Sequence, residues 1–220
     1  MTRTIIAAAV ASTAGLALAQ SDPAVLSFTY SDLNGSFDGS TFSADAQGST
    51  SGDVTRLDQG ATTADFNSNF VNTSLANAEF DISVSNVQNF AFGPFSATAT
   101  GMGAFTLTDA NGDTISGDLS GQWFRSTDGQ LFFNGFTSGV TINAADKSFD
   151  GEGGTGFSTN FLGTPILDGT LVVLSFDPSF TIFSAPFSDI STQISGRLVP
   201  TPGAAAILGL AGLAGTRRRR

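Results

Sequence analysis

Apolar and polar side chains take turns along much of this 220-residue chain. In Ala78-Glu79-Phe80-Asp81-Ile82-Ser83-Val84 every second residue is apolar, the period of a strand with one greasy and one wet face. Phe105 and Leu107 alternate in the same way, as do Val140 and Ile142, and Phe180 and Ile182. Leu171 to Phe176 (LVVLSF) reads as a continuous run, the pattern of a central strand buried on both faces. Only Asp189 to Leu198, with Ile190 and Ile194 four apart, is spaced for a short helix.

Turn signals separate these runs. Asn34-Gly35, Asp38-Gly39, Asn111-Gly112, Asp128-Gly129, Asn134-Gly135, Asp150-Gly151 and Asp168-Gly169 each accept a positive φ at low cost, as tight hairpins require. Their spacing predicts about ten to twelve strands. The fold class is all-β: a single antiparallel β-sandwich or jelly-roll-like domain, with a closed β-barrel as the alternative. A membrane-spanning barrel fits poorly, because its aromatic girdles need more than one tyrosine (Tyr30) and one tryptophan (Trp123). SFDGSTFS at 36–43 and SFDGEGGTGFS at 148–158 share a vocabulary and read as independent hairpins.

Composition narrows the means of holding such a fold. There is no cysteine, so cohesion rests on apolar burial, for which 21 phenylalanines are present. Arg56, Arg125, Lys147 and Arg197 face all 19 acidic residues in the stretch 20–198, a net charge of −15. That surface repels phosphate backbones, and nucleic acid is not an expected partner.

The ends have a different character. Arg3 precedes an apolar run from Ile5 to Leu18, and Ala17 and Ala19 flank Leu18 in the small-x-small pattern that a signal peptidase accepts before Gln20. Residues 1–19 therefore read as a signal helix, and 20–198 as the exported β-rich domain. At the other end, Ala204 to Gly215 is uncharged; as a helix it covers about 18 Å, against a hydrocarbon core of about 30 Å. Arg217, Arg218, Arg219 and Arg220 follow and would hold it on the cytoplasmic side of the inner membrane.

Val199, Pro200, Thr201 and Pro202, then GAAAILGLAGLAG, then the four arginines, resemble a PEP-CTERM sorting signal over residues 199–220. The name-giving glutamate is replaced by Thr201. The resemblance implies a short hydrophobic helix that anchors transiently and is removed by an exosortase-like enzyme. It also implies a cell-surface or extracellular destination in a bacterium that makes exopolysaccharide.

Chemistry is sparse between the ends. Without His or Cys, a Ser-His-Asp triad, a Cys-His dyad and an ordinary zinc site are ruled out. Glu79 and Glu152 are the only glutamates for a carboxylate-dependent polysaccharide hydrolase. Asp109, Asn111 and Asp113 alternate as calcium ligands do, but Thr114 and Ser120 stand where an EF-hand needs Gly and Glu, which leaves a plain hairpin loop. Trp123 and Phe124 are candidates for a sugar-stacking surface and, being adjacent in a strand, point to opposite faces. The expectation is a non-catalytic, exported surface or matrix protein with no cofactor. Its expected partners are the signal peptidase, the sorting enzyme, and polysaccharide or matrix proteins; a carbohydrate-binding module is the alternative.

Overall fold

The computed structural model describes residues 25–58, 60–67, 70, 75–90, 95–127, 130–160, 167–176 and 185–200, without the side chains of 174–176. The signal segment with Ala17, Ala19 and Gln20, the tail from Thr201 and Pro202 to Arg217–Arg220, the Phe180/Ile182 pair and Asp128-Gly129 lie outside these residues. So do both expected terminal helices.

Thirteen strands are described. In chain order they are β1 (Leu26–Phe37), β2 (Thr41–Asp45), β3 (Ser51–Arg56), β4 (Thr62–Asn67), β5 (Asn77–Ser83), β6 (Ser85–Asn89) and β7 (Phe95–Thr108). Then come β8 (Thr114–Ser126), β9 (Gln130–Asn143), β10 (Ser148–Asp150), β11 (Gly156–Ser158), β12 (Leu167–Phe176) and β13 (Phe187–Pro200). Eight of them, in the order β1-β2-β5-β7-β8-β9-β12-β13, form an antiparallel sheet. β13 returns to β1, with Leu26 opposite Leu198 and Phe37 opposite Phe187, so the sheet closes into a barrel. The architecture is thus the alternative, not the sandwich. A sandwich would leave the first and last strands as edges, and here those two edges satisfy each other.

β1 can serve three neighbours because it bends. Asp32 takes φ 60°, and the register with β13 shifts between Tyr30 and Leu33. Below the bend, Leu26 to Ser31 pairs with β3; above it, Asn34 to Phe37 pairs with β2. β3 and β4 thereby leave the barrel as a hairpin. The separate β10–β11 hairpin packs against β4 through a 3-10 turn at Glu152–Gly154, where the Asp65 amide donates to Thr155 Oγ1 (3.0 Å) and the Asn67 amide to Glu152 Oε2 (3.1 Å). The two similar stretches are indeed two unrelated hairpins, one in the barrel wall and one beside β4.

The barrel interior is filled with side chains. Phe28, Phe80 and Phe105 stack with centroids 5.8 to 6.4 Å apart. Trp123 meets Phe42 at 5.1 Å and Phe133 at 4.8 Å, and its Nε1–H donates to the Ser83 carbonyl at 3.0 Å. Room for these rings comes from glycine. Gly101, Gly121 and Gly135 lie side by side across β7, β8 and β9, and the row continues through Leu171 to Gly196 and then Phe28. A Cβ on Gly101 would meet Trp123 Nε1 at 2.6 Å and Phe133 Cε2 at 2.7 Å, and one on Gly196 would strike the Phe28 ring.

This packing explains three departures from the sequence pattern. Asp189 to Leu198 is not helical but part of β13. Its inward positions are Thr192, Ile194, Gly196 and Leu198, and a Thr and a Gly on the buried face conceal the period of two. Asn34-Gly35, Asn134-Gly135 and Asp168-Gly169 lie within β1, β9 and β12 instead of at turns, because those glycines give space to neighbouring groups. Asp38-Gly39 and Asn111-Gly112 do turn the chain, with Gly39 at φ 106° and Gly112 at φ 96°. In LVVLSF, Leu171 and Val173 are buried but Val172 is 42% exposed, since a barrel strand has one face in water.

Gly196→Ala is expected to cost about 1–3 kcal/mol by forcing a methyl into the Phe28 ring. Phe28→Leu should lower that cost in the double variant, and urea unfolding of the four-protein cycle reads the coupling.

Candidate functional site

The adjacent pair in β8 divides between the two faces. Trp123 is fully buried, whereas Phe124 is half-buried on the outside. Register then supplies partners that its local sequence does not show: Phe124 lies opposite Phe132 of β9 and beside β7, where Phe95 is 39% exposed and its ring is 5.2 Å from that of Phe124. Phe95, Phe124, Phe132 and Asn134 line an external depression of about 350 Å³. Phe95 and Phe132 were not singled out from the sequence. The hairpin signal could have found Phe132, since folding the chain at Asp128-Gly129 brings 124 and 132 together.

Among the described residues the surroundings of this cup carry little charge; Arg125, next to Phe124 in the chain, donates from Nε to Ser96 Oγ at 2.8 Å. Residues 82–108, which include β6 and β7, contain no ionisable side chain. Gln122 and Asn134 face each other across β8 and β9, both exposed, and Phe136 continues the outer face of β9 at 66% exposure.

A second depression, about 480 Å³, lies on the outside of β1, β3 and β4. It is built from outward-facing polar residues, among them Thr29, Ser51, Asp53, Thr55, Thr63 and Asp65. Asp53 and Asp65 are cross-strand partners. Burial is the main cause that raises the Asp53 carboxyl above its usual value; the Thr55 hydroxyl, 3.1 Å away, opposes the rise and Asp65 adds to it. Behind this wall the Tyr30 hydroxyl is buried with no hydrogen-bond partner among the described residues, and its phenol is pushed up by burial and then by Asp53.

The calcium-like loop joins β7 to β8, and its first residue has another employment. Asp109 is fully buried. Its Oδ1 accepts the amides of Asn111 (2.8 Å) and Asp113 (2.9 Å), and its Oδ2 accepts the amide of Asp150 (2.7 Å). Asn111 Nδ2 donates to Asp150 Oδ2 at 2.9 Å, and Asp113 Oδ1 accepts from the Ala145 amide at 3.0 Å. The loop therefore pins the β10 hairpin to the barrel, and among the described residues no group of three or more acidic side chains is poised to hold a metal.

The two glutamates have different neighbours. Glu79 is exposed on β5 and accepts from Asn77 Nδ2 at 2.7 Å, whereas Glu152 caps the β4 edge. Arg56 is buried and ties the same rim together through a bidentate pair with Asp58 (2.7 and 3.0 Å) and a bond to the Ser158 carbonyl. Those bonds hold the Asp58 carboxyl below the usual range, so their stabilisation is present above the unfolded-state pKa and is lost as pH falls through the depressed one. Of the sorting residues, Val199 and Pro200 are described: they end β13, opposite Asp168 and Leu167. No protein-family model, curated protein or solved structure matches this chain.

Asp53→Asn is expected to raise the melting temperature at pH 7, because it removes a carboxylate that burial and Asp65 disfavour in the folded state. The gain should fade as pH drops through the carboxylate range, where Asp53 is protonated in both states; melting curves from pH 7 to about pH 3 check the sign. Asp109→Ala strands three amides and should cost about 3–5 kcal/mol in urea unfolding. Millimolar calcium should leave the wild-type midpoint unchanged, since binding at this loop would have to break those bonds.

Proposed function

We propose that this chain is an exported, non-catalytic protein of the cell surface or extracellular matrix, delivered by its two terminal segments. The observation that carries the reading is where the closing pair of barrel strands, β1 and β13, falls in the chain. The Val25 amide donates to the Leu198 carbonyl at 2.8 Å, and β13 ends at Pro200. The export pattern at 1–19 precedes these paired strands in the sequence, and the segment that resembles a sorting signal begins at Val199 and Pro200, the last two residues of β13.

The barrel's polarity supports a water-facing life. Inward positions of β1 and β13 include Leu26, Phe28, Ile194 and Leu198, while Ser27, Thr29, Ser195 and Arg197 face outward. A barrel in an outer membrane has the reverse arrangement, with an apolar band outside and a polar lumen. The acidic exterior, at −15 for residues 20–198, favours solubility outside the cell.

The position of the tail in the chain supports the attachment reading. Thr201 is the next residue after the barrel-closing strand, so a tail held in the inner membrane keeps the rim of the barrel at the membrane surface. Removal of the tail by an exosortase-like enzyme then frees the domain into the matrix. A second reading, a carbohydrate-binding module, is favoured by the aromatic cup of Phe95, Phe124 and Phe132.

Intact-mass analysis of cell-associated and released protein tests the delivery reading. The expected masses lack residues 1–19, and the released form also lacks residues beyond the Pro200–Pro202 region. A full-length mass recovered from the cytosol would refute it.

A further inference from the structure

The cup on the outer barrel wall has the chemistry of a sugar subsite, and we propose that it binds a hexopyranose unit of an uncharged polysaccharide. This rests on the carbohydrate-binding reading and specifies its site and ligand class. The rings of Phe95 and Phe124 are 5.2 Å apart and inclined at 47°, with Phe132 opposite Phe124 in the sheet register. They form a concave wall in place of a flat platform. A pyranose presents C–H groups on its faces and hydroxyls around its edge. The rings take the C–H faces, and exposed Asn134, with Gln122 opposite it, offers amide donors and acceptors to the edge hydroxyls.

Charge selects the occupant. On a body of net charge −15, the outward positions around the cup among the described residues, Thr98, Thr100, Gln122, Asn134, Phe136 and Thr170, include no carboxylate. An acidic polymer would be repelled by the rest of the molecule, and a basic partner would find no counter-charge at these positions. A neutral sugar meets neither obstacle. The three rings stand on β7, β8 and β9, adjacent strands of the closed barrel, so ligand contacts would require little ordering of the protein.

The test uses the body freed of its signal, neutral and acidic soluble oligosaccharides on an array, and titration calorimetry of the hits. The expected result is saturable binding to a neutral class that does not weaken with added salt. Phe124→Ala and Phe132→Ala should each weaken it about tenfold or more, while retaining the wild-type circular dichroism. Asn134→Ala, an exposed substitution outside the core, should weaken it as well and guards against misfolding of the phenylalanine variants. Asp53→Asn, in the polar depression, should leave it unchanged. Absence of binding to every neutral glycan overturns the proposal, as does binding that survives all three cup variants. Self-association abolished by Phe124→Ala, without glycan binding, would assign the cup to a second copy of the chain. None of these failures alters the intact masses that test delivery.

Discussion

Everything in this fold depends on fitting large rings into a barrel of eight strands. Such a barrel has an interior just wide enough for side chains to fill. Here the filling is Phe28, Phe42, Phe80, Phe105, Trp123 and Phe133, all essentially inaccessible to solvent. The rings fit because the wall is thinned at one level, where Gly101, Gly121, Gly135 and Gly196 stand in neighbouring register around the barrel. Glycine in a strand is ordinarily unfavourable by roughly 0.5–1 kcal/mol relative to alanine. Here each is offset by the aromatic surface that its missing Cβ allows into the core. With no disulfide to assist, that exchange decides whether the sheet closes.

Closure in turn sets what the polar groups must do. A closed barrel has no edge of its own, but β1 also carries β3 and β4 away from it, and β4 would present an open edge. The β10 hairpin covers that edge with Thr155 and Glu152, and the hairpin is itself held by Asp109 from the barrel side and Arg56 from β3. The buried charges are thus concentrated where a secondary hairpin joins the main body. Asp109 in particular looks like a ligand in sequence and acts as a brace in space.

How much of this was legible depends on range. The strand β5 was plain, because Ala78, Phe80 and Ile82 are all apolar and all inward. β13 was hidden, because Thr192 and Gly196 occupy inward positions opposite large neighbours, and only the structure shows that Phe28 requires Gly196. Turn dipeptides misled for the same reason: a glycine that seats a ring and one that turns the chain look identical locally. Barrel closure joins the first barrel strand to the last, a pairing with no local signature. The cup was half legible. Alternation separates Trp123 from Phe124 without saying which lies outside, and Phe95 and Phe132 reach Phe124 only through the registers of β7 and β9.

The outer surface is divided by the same strand arithmetic. Over β1, β3 and β4 the outward residues are hydroxyls and carboxylates, and Asp53 and Asp65 stand side by side in a depression that burial already makes unfavourable for charge. At the end of β7, β8 and β9 where the cup lies, they are Phe95, Phe124, Phe132 and Asn134, and the exposed carboxylate of β8, Asp118, stands further along the strand. At physiological salt, charge is felt over about 8 Å, so the acidic faces govern approach while the aromatic face governs contact. An acidic protein with a neutral aromatic recess repels polyanions and can still hold an uncharged chain by shape and stacking. The outward phenylalanines are then not surplus core residues. Phe95, Phe124 and Phe132 instead line one recess where their exposure can serve binding.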